Sequence, residues 1–168
     1  MGRAPAGPFS ERGEGEEWVA HELAFLPSNY TVFNGLRLGG KHNFDHIIVA
    51  PTGIFVVETK NWQGSVEFKE GRLVFPGGKE PGRPPLRQVK DAAAELIRFI
   101  DDAGCGDLPV HSVLCFLKTG LPEDIMNVNG VVVCKGEKLT EVLQETFDEP
   151  VAASIRDQVV DELRKVIE

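Results

Sequence analysis

FDHIIVAPTGIFVVETKNWQG, residues 44–64, is the stretch that decides the fold. Residues 44–50 and 54–60 are two almost continuous apolar runs, rich in Ile, Val and Phe. Side chains alternate between the two faces of a strand, so such runs are covered on both faces and lie centrally in a sheet. Pro51-Thr52-Gly53 stands between them as a turn signal, which predicts a hairpin. Three charges interrupt this apolar pattern: Asp45 at the start, Glu58 and Lys60 at the end. Burying one unpaired ion costs several kcal/mol even after relaxation. Three such charges offset one another, or hold a cation.

Glu58 and Lys60 are two residues apart, so they project from one face. Asp45 must reach them from the partner strand, and the register decides whether it does. A two-residue turn at Thr52-Gly53 sets Pro51 against Ile54 and Asp45 against Lys60. A three-residue loop turns Asp45 to the other face. A bulge or bend near Asp45 would restore the approach. The sequence leaves the register open.

Outward from this hairpin, the pattern predicts a loose segment over residues 1–10 and a single domain over 11–168. A helix is expected over 12–26, with Val19, Ala20 and Leu23 on its apolar stripe and Pro27 ending it. Glu16 shares that stripe. An edge strand over 30–38 is broken at Gly35, and 39–43 form a loop. Short strands over 65–69 and 73–75 follow, then a Gly/Pro loop over 76–85. A helix over 86–101 carries Val89, Ala93, Leu96, Ile97 and Ile100 on one stripe. Strands over 110–117 and 130–134 and helices over 137–146 and 151–167 complete the order. The fold class is α/β, a mixed sheet flanked by helices.

With 168 residues, 42% of them hydrophobic and 26% charged, the chain is long enough to bury a core without metal or disulfide staples. No apolar run approaches a membrane span, and the N-terminus lacks a secretory h-region. Cys105, Cys115 and Cys134 lack metal-site spacing and read as reduced thiols, so a cytoplasmic location is expected. The net charge is −8, yet residues 35–90 hold nine Lys or Arg against five Asp or Glu, while the remainder holds nine against 21. Phosphate binding responds to local potential, so a nucleic-acid partner is permitted.

Arg37, Lys41, Lys79, Arg83, Arg87 and Lys90 are candidates to track a phosphate backbone. Trp62 is a candidate to stack on a base, although packing is the plainer role of a Trp at a strand end. His46 points away from Asp45's face on a regular strand and reads as a hydrogen-bonded residue. Residues 35–41 fit a phosphate-loop pattern, but His42 stands where Ser or Thr is required and a strand follows in place of a helix, which excludes it.

Gly15-Glu16 ahead of Val19 and Leu23, Phe44-Asp45-His46-Ile47-Ile48-Val49, Gly53 through Trp62 with Gly64, and Pro85-Leu86-Arg87-Gln88 occur in that order. Together they resemble the nuclease-related domain, NERD, of the PD-(D/E)XK nuclease superfamily, with Phe44 where the superfamily's name has proline. The resemblance implies a restriction-endonuclease-like fold and Mg²⁺-dependent (or Mn²⁺-dependent) phosphodiester hydrolysis of nucleic acid, DNA foremost. It implies metal ligands at Asp45, Glu58 and the Thr59 carbonyl. Lys60 would act on the attacking water or the transition state, with Glu16 in the outer ligand shell and Gln88 as a positioning group. Two alternatives stand beside it: an inactive DNA-binding or targeting module, and a hydrolase of smaller phosphate esters. A homodimer is left open, and the last helix is expected to pack internally.

Overall fold

The computed structural model describes residues 8–145 and 149–167, with side chains from Gly15 onward. Residues 1–7 of the expected loose segment lie outside the described residues, and residues 8–10 already belong to a helix. The order is α1 (Pro8–Leu23), β1 (Thr31–Arg37), β2 (Asn43–Ala50), β3 (Gly53–Lys60), β4 (Glu67–Lys69), β5 (Arg72–Val74) and α2 (Pro85–Asp102). It continues with β6 (Val110–Phe116), β7 (Ile125–Val128), β8 (Val131–Lys135), a 3-10 turn (Gly136–Lys138), α3 (Leu139–Gln144) and α4 (Ala153–Ile167).

Six strands form one sheet in the order β1-β2-β3-β6-β8-β7. β1, β2 and β3 are antiparallel, β3, β6 and β8 run parallel, and β7 closes the far edge antiparallel to β8. The sheet is therefore mixed, as the sequence predicts. β3 lies at the junction between its antiparallel and parallel parts.

Both faces of the central strands are covered. On one face Ile47, Val49, Ile54, Val56, Leu114 and Phe116 pack with α2 and α4 through Val89, Leu96, Val159 and Leu163. On the other, Ile48, Phe55, Val57, Val113 and Cys115 pack with α1 and α3 through Val19, Leu23, Leu139 and Leu143. The apolar runs of β2 and β3 follow from this double cover. The expected α2 stripe needs one correction: Ile97 is exposed, and Ala92 takes the buried place beside Val89 and Leu96.

Two further differences are instructive. β7 was not expected, because four residues with an Asn among them give a weak apolar run. Its hairpin to β8 turns at Asn129-Gly130, both with positive φ (52° and 83°), and Asn-Gly is a strong short-range hairpin signal. The last two helices start two residues later than expected, the first of them behind the 3-10 turn.

Strand alternation breaks once, beside the three charges. Phe33 and Leu36 of β1 both face the α2 side, as do Phe44 and Ile47 of β2. Residues three apart share a face only if the backbone turns over between them. Gly35, with φ of 66°, takes the left-handed conformation that permits this. Asp45 lies at the same level, between the paired residues Asn34–His46 and Leu36–Phe44.

Candidate active site

The hairpin register is neither of the two considered from the sequence. Ala50 pairs with Gly53 and His46 with Val57, so the loop is Pro51-Thr52. One further step would set Asp45 across from Glu58, but the ladder stops at Val57. On its other side β3 stays paired with β6 as far as Lys60–Phe116. Glu58, Thr59 and Lys60 thus keep one neighbouring strand and lose the other.

Asp45 fills that gap. Its Oδ2 accepts hydrogen bonds from the Thr59 backbone N–H at 3.0 Å and from Thr59 Oγ1 at 3.2 Å. Asp45 is 1% exposed and Thr59 3% exposed, so these bonds are shielded from water. A buried carboxylate is tolerable because such charge-assisted bonds partly replace its hydration.

Glu58 and Lys60 project together into a cleft of about 540 Å³. Arg37, Lys41, Arg83, Trp62 and Gln88 of the predicted residues line it as well, joined by His42 and Asn43, which sequence reasoning did not single out. The signal for His42 and Asn43 was their place in the loop that enters β2 two residues before Asp45. Glu58 is nearly buried and Lys60 half-buried. Asp45 does not line the cleft. Trp62 packs edge-on against Phe116, with ring centres 5.7 Å apart, and against Phe75 at 5.5 Å, so packing accounts for much of its surface.

Glu16 comes from α1, on the opposite face of the sheet from Gln88 on α2. It is half-buried, and its neighbour Gly15 sits beside Asn61, the residue after Lys60. Glu16, Glu58, Lys60 and Asn61 are all engaged in interactions within the fold. Arg87 is not brought to this cleft. It is exposed, pairs with Asp91 at 3.9 Å, and lines a neighbouring groove with Lys90.

His46 turns away from the cleft. Its Nδ1 lies 2.6 Å from Asn34 Oδ1, within hydrogen-bond distance, whereas its Nε2 is buried with no hydrogen-bond partner among the described residues. The expected hydrogen bonding is thus met at one nitrogen only. Burial lowers its pKa to about 4, and the neighbouring Asp45 charge opposes this without overcoming it.

The donor set suits a hard cation. Asp45, Glu58 and the Thr59 carbonyl offer oxygen alone, the chemistry that Mg²⁺ prefers while keeping several waters. No group of three or more His, Cys, Asp or Glu able to hold a metal occurs among the described residues. Water and phosphate oxygens would have to complete the shell.

The fold is α/β with a mixed sheet flanked by helices, and an acid, a further acid and a lysine stand at the open end of its central hairpin. The chain belongs to the nuclease-related domain (NERD) family, whose model matches residues 12–117, and the PD-(D/E)XK superfamily assignment is consistent with this. Among curated proteins it is 32% identical over 111 residues to a probable kinase, PglW, of Streptomyces coelicolor, covering 64% of this chain and 7% of that protein. It is 42% identical over 61 residues to an uncharacterized protein of Bacillus anthracis, covering 33% of this chain and 29% of that one. The chain thus spans a minor part of both relatives. Pyrococcus furiosus SfsA in complex with Ca²⁺ aligns over 90% of this chain and 53% of its own, at 17% identity and a TM-score of 0.30, too low to carry an argument. No helix among the described residues is long and apolar enough to cross a membrane.

Proposed function

We propose that this chain hydrolyses phosphodiester bonds of nucleic acid, DNA foremost, with Mg²⁺ as cofactor and Mn²⁺ as a substitute. The observation that carries this reading is that Glu58 and Lys60 line one cleft with Arg37, Lys41 and Arg83, beside an Asp45 fixed against Thr59. A bound metal would polarise the phosphate and lower the pKa of its water.

The chain's own residues would do the rest. Asp45, Glu58 and the Thr59 carbonyl hold the cation. Lys60 offsets the charge that accumulates on the phosphoryl oxygens, an effect strengthened by its half-buried setting. Arg37, Lys41 and Arg83 hold the flanking phosphates, and the Gln88 amide orients water or backbone. Glu16, next to the Gly15 that sits beside Asn61, would act in the outer shell.

The test is cleavage of linear and circular DNA at ~1–10 mM Mg²⁺ or Mn²⁺, the range suited to weak carboxylate sites. Wild type is compared with Glu58→Ala and Lys60→Ala, each checked for folding by circular dichroism. Metal-dependent cleavage abolished in both variants is expected. Folded protein that neither cleaves nor binds metal by calorimetry refutes the catalytic reading. Salt-dependent DNA binding that persists in that case identifies a binding module.

A further inference from the structure

We propose that a second cleft, over the carboxyl ends of β3, β6 and β8, seats one unpaired base of a nucleic-acid strand, with Trp18 as its stacking surface and Lys118 as a phosphate contact. The proposal rests on the nucleic-acid reading above and extends it to a site which that reading does not use.

The fold creates this cleft. β3, β6 and β8 are adjacent and parallel, so their carboxyl ends open on one side, where ligands commonly bind in α/β sheets. The residues just beyond those ends, Asn61, Leu117, Lys118 and Gly136, line a space of about 410 Å³ that Gly15 and Trp18 of α1 close from above. That volume lies within the roughly 300–1,000 Å³ common for small-ligand sites.

Two glycines set its shape. A Cβ at Gly15 would stand 2.7 Å from Leu117 Cδ1, and one at Gly136 would stand 2.6 Å from Leu117 Cδ2 and 3.2 Å from Trp18 Cζ3. Leu117 is therefore wedged between two bare stretches of backbone, and the indole rests directly on Gly136. Trp18 nonetheless keeps 43% of its surface exposed, while Val19 and Leu23 on the same helix are buried. A Trp seated by backbone contact and open to solvent within a cleft is a platform for a planar ring.

Charge favours a nucleotide. Lys118 is exposed and has no ion-pair partner among the described residues, whereas Lys135 is held by Asp124 at 3.0 Å. Glu137 is the acid on the rim. The cleft also adjoins the candidate active site: Lys60 lines one and Asn61 the other, on either side of β3's end. A strand crossing that end would place a base on Trp18 while its neighbouring phosphate meets Lys60. The seat needs a base free of its duplex, because a paired base has both faces stacked.

The chain has two tryptophans, so Trp62→Phe leaves Trp18 as the sole indole, and phenylalanine preserves aromatic packing on Phe75 and Phe116. The full chain is titrated in EDTA with a 12-nucleotide oligothymidylate and with the dA·dT duplex of equal length. Quenching of Trp18 emission by the single strand, and weaker quenching by the duplex, is expected. By anisotropy, Trp18→Ala should weaken single-strand binding about tenfold, Trp18→Phe should restore most of it, and Lys118→Ala should flatten the salt dependence by about one phosphate contact. Binding without quenching, or a Trp18→Ala variant that binds and cleaves as wild type, overturns the base seat and leaves the nuclease reading standing. Failure of wild type to bind or cleave any nucleic acid overturns both.

Discussion

Replacing Asp45 separates what this carboxylate does for the fold from what it does for a metal. Asp45→Ala removes the acceptor of two hydrogen bonds, from Thr59 N–H at 3.0 Å and Thr59 Oγ1 at 3.2 Å. The hydroxyl can rotate to another acceptor, but the N–H cannot, and at 3% exposure Thr59 has little access to water. A hydrogen bond to a charged group contributes about 1.5–3 kcal/mol, and an orphaned buried N–H costs about 1–3. These overlap, so the expected loss is about 2–4 kcal/mol, a large part of the roughly 5–15 typical of a domain. Asp45→Asn keeps an oxygen for the N–H and should lose only about 1 kcal/mol. Urea unfolding in EDTA at pH 7.5 reads this as a midpoint lowered by roughly 1–2 M for alanine and by well under that for asparagine. The same titration with Mg²⁺ at about ten times its Kd should stabilise wild type by about 1.4 kcal/mol and the asparagine variant not at all. An alanine variant as stable as wild type would refute the reasoning, because Thr59 would then have another partner in the gap.

Three other predictions follow from the same structure. His46 is neutral when folded, with a pKa of about 4 against 6.5 unfolded, so its contribution is complete above pH 6.5 and is lost as pH falls toward 4. At 1.36 kcal/mol per pH unit this amounts to about 3 kcal/mol, and His46→Leu should flatten the difference between urea midpoints at pH 7 and pH 4.5. Gly53→Ala should destabilise by about 3 kcal/mol in the same assay, because φ is 142° there and a Cβ would lie 2.6 Å from the Pro109 carbonyl oxygen. Cys105, Cys115 and Cys134 are all buried; burial raises the thiol pKa of Cys105, and a hydrogen bond with Cys134, followed by burial, raises that of Cys115. A thiol reagent should label none of the three in the folded chain and all three after denaturation.

The hairpin was legible in the sequence because period and composition agreed: two double-faced apolar runs can only be central strands. Glu58 and Lys60 were legible together for the same reason, since a spacing of two fixes a common face. The register was not, because it rests on whether Gly53 belongs to the turn or to the strand. In the structure Gly53 opens the strand against the Pro109 carbonyl, a neighbour from beyond α2 that the local sequence does not reveal. Arg87 was read as a phosphate contact because it is one of the basic residues of 35–90, yet it directly precedes Gln88, and consecutive helical residues point about 100° apart. One of them therefore enters the cleft and the other leaves it.

That register explains why the three charges stand where they do. β3 has an antiparallel neighbour on one side and a parallel neighbour on the other, as β8 does nearer the far edge of the sheet. The antiparallel partner of β3, β2, turns over at Asp45, level with Gly35 of β1, and is not paired with β3 past Val57, while its parallel partner continues to Phe116. A strand end paired on one side only would leave a buried N–H without an acceptor at Thr59. Asp45 supplies the acceptor, and the departure of β2 opens the space into which Glu58 and Lys60 project. A single backbone irregularity thus accounts for a buried carboxylate, an open cleft and a charged pair at its floor. An apolar residue at position 45 would leave the Thr59 N–H without this acceptor, and an unbroken ladder would close the cleft.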